Sequence, residues 1–145
     1  MHCVYPSFYR PDIRGKREMK EYQIVHDKEF VLPREVYHQC IWIVRDMGRM
    51  ESELNRMSGM IVRDGTGGNA YQDGTPAEIK AAEMYRLRLN AIKQALLEIP
   101  KEYRAGVLNS IVNRGSTYSD LAHENTWKRW KQRFVFYLAK NLGIY

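Results

Sequence analysis

Residues 101–145 read KEYRAGVLNSIVNRGSTYSDLAHENTWKRWKQRFVFYLAKNLGIY. The pattern predicts two helices, one over KEYRAGVLNSIVNRG and a longer one over TWKRWKQRFVFYLAKNL, joined by a short polar corner. Asn125 or Thr126 offers a side-chain oxygen to cap the start of the second helix, and Gly143 is a suitable stop. The second helix carries much of the positive charge, so its two faces bear directly on function.

Successive helical residues are about 100° apart, which divides this second helix into an apolar face and a basic face. The apolar face holds Trp127, Trp130, Phe134, Tyr137, Leu138 and Leu142. The basic face holds Lys128, Arg129, Gln132, Arg133 and Lys140, with Lys131 at its border. The first pattern is typical of a core. The second favours contact with phosphates or base edges, and a merely solvated surface is the alternative.

The charge of the chain is concentrated at this end. Residues 101–145 hold 8 Lys and Arg against 3 Asp and Glu, whereas residues 1–100 hold 15 against 14. Almost all of the net charge of +6 therefore comes from the last third of the chain. A one-sided basic surface is typical of nucleic-acid binding.

The segment ALLEIPKEYRAGVLNSIV, followed by a corner and TWKRWKQRF, resembles the helix-turn-helix of sigma factor region 4. It more closely resembles the C-terminal half of small phage regulators of the RinA and ArpU type. Those proteins have a leucine-proline-x-x-tyrosine helix start and a basic recognition helix with an alanine-lysine-x-leucine-glycine-like tail. The matching text here is IPKEY at residues 99–103 and AKNLGIY at residues 139–145. Region 4 has a longer middle helix, where this chain offers only residues 119–124.

The resemblance implies a DNA-binding transcriptional regulator of phage or prophage type, acting in the cytoplasm of a bacterial host. Its basic helix would lie in the major groove of double-stranded DNA. On general pairing chemistry, Gln132 suits an adenine edge and Arg129 a guanine edge. Lys128, Lys131 and Arg133 would add base or phosphate contacts. The flanking phosphates would be held by Lys101, Arg104 and Arg114.

Pro33 opens a second candidate element, an amphipathic helix over residues 34–58. Its apolar positions recur at alternating steps of four and three, which is the pattern of a coiled-coil seam. The seam residues are Val36, Cys40, Ile43, Met47, Met50 and Leu54. Such a stripe fits either a partner helix of the same chain or a second subunit in a homodimer. Contact with RNA polymerase is the other use that the resemblance implies for this helix.

Residues 59–75 are rich in Gly and polar residues and predict a flexible linker. Thr75, Pro76 and Glu78 then form a capping box with proline at the first helical position. The helix that starts there runs to about residue 98 and carries a matching apolar stripe, so it could pack against the helix after Pro33 across the linker. The helical domain thus spans residues 76–145, and the predicted fold is an all-α helical bundle with a C-terminal helix-turn-helix-like unit.

Residues 1–33 predict a partly extended arm in which aromatic and basic residues alternate. No stretch of the chain approaches the roughly 18 apolar residues of a membrane span. Cys3 and Cys40 make no disulfide framework, and the histidines are too scattered for a zinc site. His123, beside Asp120 and Glu124, fits a helix cap or a histidine at the edge of the core better than a general base. We therefore expect no metal, no cofactor and no enzymatic activity.

Two further functions stay open on the sequence alone. A small phage-encoded protein that binds and modulates a host protein is favoured by the shortened corner and by Phe136, which is expected to point outward. RNA binding through the basic helix and the N-terminal aromatic residues is the weaker alternative. Salt dependence separates the first from DNA binding, because phosphate contacts weaken steeply as salt rises.

Overall fold

The computed structural model describes residues 23–24, 27–63, 75–113 and 117–145. Over these ranges the chain forms an all-α bundle, as predicted, with no strand. A short 3-10 turn at Lys28–Phe30 comes first. The helices that follow are α1 (Arg34–Arg45), α2 (Met47–Arg63), α3 (Pro76–Leu97), α4 (Lys101–Val112) and α5 (Glu124–Leu142).

The central element of the bundle is α5. It packs against α1, α3, α4 and the 3-10 turn. Its buried side chains are Trp127, Lys131, Gln132, Phe134, Val135, Leu138 and Ala139. These residues span nearly half of the helix circumference, and the remaining positions of α5 are partly buried or exposed.

Local signals in the sequence set the helix ends. The Thr75 hydroxyl accepts a hydrogen bond from the Glu78 amide at 3.2 Å, which confirms the predicted cap of α3. Gly143 has φ of 71° and ends α5 in the left-handed conformation that glycine tolerates best. The predicted N-cap of α5 at Asn125 or Thr126 is wrong. His123 caps the helix instead, because its Nδ1 accepts from the Asn125 amide at 3.1 Å and α5 begins at Glu124.

The predicted helix over residues 34–58 is divided at Asp46. This residue lies between α1 and α2, and its carboxylate accepts a forked pair of hydrogen bonds from Arg49 at 2.6 and 2.7 Å. The Arg49 side chain thereby lowers the pKa of Asp46. Helix α2 also extends to Arg63, so the linker predicted to begin at residue 59 begins later. Residues 64–74 of that linker and residues 1–22 and 25–26 of the arm lie outside the described residues.

Helix α3 packs against α2, in agreement with their matching apolar stripes. Arg49 donates to the Tyr85 hydroxyl at 3.2 Å, and Arg88, one turn further along α3, lies near Asp46. The guanidinium of Arg49 also lies 5.2 Å from the centre of the Tyr85 ring. The two helices therefore run in opposite directions on either side of the linker.

Helices α4 and α5 meet through an aromatic cluster. The Tyr103 ring lies edge-on to Trp127, with their centroids 4.9 Å apart. The Tyr118 ring stacks on the same Trp127, with centroids 5.7 Å apart. The Trp127 indole N–H donates to the Ser119 carbonyl at 3.2 Å. Residues 113–123 join the two helices, whereas a DNA-binding helix-turn-helix uses about three or four residues. The predicted helix-turn-helix-like unit therefore has a longer connection than that motif.

Gly106 makes this close contact between α4 and α5 feasible. A Cβ at that position would lie 2.5 and 2.6 Å from two ring carbons of Trp127, whereas a Cβ at Gly48 would meet nothing within 4 Å.

We predict that Gly106→Ala destabilises the fold by about 1–3 kcal/mol, because the buried indole must shift. Gly48→Ala, the matched control, should stabilise α2 by up to about 1 kcal/mol. Urea unfolding of both variants checks this, and equal effects would contradict it.

Candidate nucleic-acid interface

The predicted basic face of α5 is divided by tertiary packing. Two of its residues, Lys131 and Gln132, are buried with 7% and 2% of their surface exposed. Lys128 and Arg133 are partly covered, and Arg129 and Lys140 are exposed. The surface of α5 that can meet a ligand is therefore narrower than the sequence predicted.

Gln132 is a structural bridge, and its prediction as a reader of adenine is wrong. Its Oε1 accepts from the Ile24 amide at 2.6 Å, and its Nε2 donates to the carbonyls of Ile24 and Phe30 at 3.1 and 3.3 Å. These bonds fasten the segment before α1 onto α5. A base edge cannot compete for an amide group that is buried and already hydrogen-bonded.

Lys131 is also misplaced by the sequence prediction. The helical period places Lys131 at the border of the basic face, but the residue lies on the buried side of α5. A long cationic side chain that is covered in this way is not available for contacts with phosphate. Burial on this side follows from the number of elements that cover α5, which the periodicity of one helix does not reveal.

Arg133 keeps its place on the exposed side and is held rigidly. Its guanidinium carbon lies 4.7 Å from the ring centre of Phe30 and 5.0 Å from that of Trp130. Its Nε is buried without a hydrogen-bond partner among the described residues and lies 3.9 Å from an oxygen of Asp27. The side chain is 36% exposed. Arg133 is thus a cation fixed by two aromatic rings and still open to one side.

The remaining predicted contacts have mixed positions. Lys128 forms an ion pair with Glu124 at 3.1 Å, and its side chain is 27% exposed. Arg104 donates to the Ile99 carbonyl at 3.1 Å and is partly buried, whereas Lys101 is exposed. Arg114 lies outside the described residues.

Four residues of α5 form what we call the outward stripe: Arg129, Arg133, Phe136 and Lys140. Their spacing of four, three and four places them along one side of the helix. Phe136 was expected to point outward, but it is partly buried, with Phe30 5.3 Å and Tyr145 6.1 Å away. The Lys140 ammonium lies 5.4 Å from the rings of both Phe136 and Tyr145. The stripe is a row of cations on an aromatic base.

The most buried positions of the seam predicted along residues 36–54 pack against other residues of the same chain. Cys40 and Met50 are fully buried in this single chain, so the intramolecular alternative accounts for them. The other seam residues, Val36, Ile43, Met47 and Leu54, are partly buried, and the first three pack against the core. A homodimer through the whole seam would therefore require the core to open.

The described residues hold no group of three or more His, Cys, Asp or Glu side chains placed to bind a metal ion. None of the described helices combines the length and apolar character that crossing a bilayer requires. His123, considered above as a general base, serves as the cap of α5.

No protein-family model, curated protein or solved structure matches this chain. Function must therefore be inferred from the charges, exposure and contacts of its own residues.

The bridge made by Gln132 yields a stability prediction. Gln132→Ala removes three hydrogen bonds and leaves their backbone partners unpaired, so we expect a loss of about 1–3 kcal/mol of unfolding free energy. Gln94→Ala, on the exposed side of α3, is the matched control and should change it by less than about 0.5 kcal/mol. Thermal or urea unfolding followed by circular dichroism measures both. A Gln132 variant of normal stability that loses nucleic-acid binding would restore the base-reading role.

Burial raises the pKa of the Cys40 thiol from its ordinary value of 9.0 to about 11. The folded protein therefore holds this proton more tightly than the unfolded chain, and stability should fall as the pH rises from about 9 to 11. In a Cys3→Ser background, we also expect Cys40 to react far more slowly with a thiol reagent at pH 8 than after unfolding in urea. A Cys40→Ala variant should lack this part of the alkaline loss. Equal reaction rates in folded and unfolded protein would contradict the prediction.

Proposed function

We propose that this protein binds double-stranded DNA through the outward stripe of α5. The observation that carries the proposal is the row of Arg129, Arg133 and Lys140 along one side of a helix whose opposite side is packed in the core. Fixed cations lose little conformational entropy when they bind phosphate, so a rigid support favours such contacts. The concentration of net charge in residues 101–145 supports the same partner.

The stripe is better suited to phosphates than to a long series of base contacts. Arg129 and Lys140 are separated by eleven residues, or roughly 16 Å along the helix at 1.5 Å per residue. This exceeds the width of the major groove, about 12 Å, so a helix laid across the groove reaches phosphates on both strands. With Gln132 buried, Arg129 in the exposed second turn remains the residue best suited to a guanine edge.

Arg133 has a distinct role in this proposal. The rings of Phe30 and Trp130 hold its guanidinium at a constant position, and planar guanidinium groups bind phosphate oxygens in pairs. Lys101 on α4 adds an exposed cation beyond the stripe. Regulation of transcription, in the manner of the phage proteins that the sequence resembles, is the biological setting that we propose for this binding.

The charged stripe can be tested by fluorescence anisotropy with random duplex DNA at about 50 and 200 mM salt. We expect Arg129→Ala/Lys140→Ala to weaken binding roughly tenfold or more at low salt and to reduce the salt slope by about two. Lys80→Ala/Lys93→Ala removes the same charge from exposed positions of α3 and should have a much smaller effect.

Two outcomes would contradict the proposal. One is the absence of binding at low salt by protein that circular dichroism confirms to be folded. The other is an equal loss in both double variants, which would mean that net charge alone drives the binding. Equal affinity for single-stranded RNA and duplex DNA would favour the RNA-binding alternative instead.

A further inference from the structure

A shallow groove of about 520 Å³ follows α1 and shares no residue with the outward stripe. Arg34 and Ile43, which both line it, are nine residues apart, or roughly 14 Å along α1 at 1.5 Å per residue. A groove of this length can hold about two to three turns of a partner helix. We call it the Trp42 groove, and its lining includes Arg34, Glu35, His38, Trp42, Ile43 and Arg88.

The surface of the Trp42 groove is mainly apolar. Trp42 is 57% exposed, and Ile43 beside it is partly buried. On the other side of α1, Tyr37, Ile41 and Val44 are at most 2% exposed, so a helix anchored in the core presents the indole. Tryptophan is enriched among the residues that dominate protein interfaces, because it buries a large area on few rotatable bonds.

The charged side chains of the groove are mostly basic. Arg34, His38 and Arg88 line it against a single carboxylate, that of Glu35. Arg34 also lies in the first turn of α1, where the helix dipole adds to the positive potential. The groove therefore favours a partner that carries negative charge.

The two arginines lie toward opposite ends of the groove. Arg34 begins α1, whereas Arg88 lies near Asp46, which follows the last residue of α1. Arg49 donates two hydrogen bonds to the Asp46 carboxylate and is the main cause of its lowered pKa, to which Arg88 adds only through its charge. Arg88 thus has donors for a second carboxylate, and a matching partner is acidic at both ends.

A nucleic acid matches this groove less well than such a partner. A phosphate backbone is bound by a row of cations, whereas the Trp42 groove has mainly apolar surface between its two arginines. The Glu35 carboxylate would also repel a phosphate group. A protein segment with an apolar middle and acidic ends meets a complementary group along the whole groove.

We propose that the Trp42 groove binds an acidic amphipathic helix of a partner protein. Aliphatic or aromatic side chains of that helix pack on Trp42 and Ile43, in the manner of helices that lie in apolar grooves. Carboxylates at its two ends pair with the guanidinium groups of Arg34 and Arg88. This protein-binding surface is separate from the stripe proposed for DNA, so either function can hold without the other.

Two labelled peptides test this proposal by fluorescence anisotropy with the full-length chain. One is a helical peptide of about 14 residues with leucine at every third or fourth position and glutamate at both ends. The control peptide has glutamine in place of each glutamate. At about 50 mM salt we expect the acidic peptide to bind with a dissociation constant below roughly 300 μM and about threefold to tenfold more tightly than the control peptide.

Matched variants separate the apolar contact from the charge pairing. Trp42→Ala should weaken the binding of both peptides at least about tenfold. Leu121→Ala removes another apolar side chain, 61% exposed, that does not line the groove and should leave both affinities unchanged. Arg34→Gln/Arg88→Gln should remove the preference for the acidic peptide and change the binding of the control peptide little. Circular dichroism verifies that each variant is folded.

The position of the bound peptide is checked by NMR and by a variant of the outward stripe. The acidic peptide should shift the indole N–H signal of Trp42, which Trp42→Phe identifies, and not that of Trp127, which is buried and donates to the Ser119 carbonyl. Arg129→Ala/Lys140→Ala should bind the acidic peptide as the wild-type chain does. A loss of binding in that variant would place the peptide on the stripe and overturn the proposal.

Four other results would overturn the proposal. The first is no saturable binding of the acidic peptide up to about 1 mM. The second is equal affinity for the two peptides, and the third is binding that survives Trp42→Ala. The fourth is a different occupant of the groove. It would be seen as Trp42-dependent binding of a single-stranded oligonucleotide that is tighter than that of the peptide, or as Trp42-dependent dimerisation in sedimentation equilibrium.

Discussion

The enclosure of α5 is the constraint on which the rest of the structure depends. Helices α1, α3 and α4 and the 3-10 turn all pack against it. Its polar residues can be buried only where backbone groups satisfy them, and Gln132 does this through Ile24 and Phe30. Once those bonds form, the segment before α1 covers one side of α5. Arg129 and Lys140 stay exposed on the side of α5 away from its buried residues.

The outward stripe carries Arg129, Arg133 and Lys140 on an aromatic base, which suits a polyanion. The rings of that base come from three parts of the chain: the 3-10 turn, α5 itself and the residues after α5.

Much of the fold could be predicted from local patterns. Pro33, Thr75 with Pro76, and Pro100 each precede a helix because their backbone geometry or side chain favours a helix start. The four-three stripes correctly indicated that α2 and α3 pack together. The division at Asp46 was missed, because nothing in the apolar spacing of residues 36–54 changes there. Of the basic face expected from the helical period, Arg129, Arg133 and Lys140 lie on the open side of α5, whereas Lys131 and Gln132 are buried.

The sequence by itself determined the helices, their order and the accumulation of positive charge in residues 101–145, since these depend on local propensity, capping and composition. Only the tertiary structure decided which polar side chains face solvent. Gln132 is separated by 108 residues from Ile24, and no pattern within α5 indicates that a distant backbone segment will satisfy its amide. The same holds for Trp42, whose exposure follows from where α3 and α4 lie relative to α1. A helical period defines a face, but the number of neighbours around the helix defines whether that face is buried.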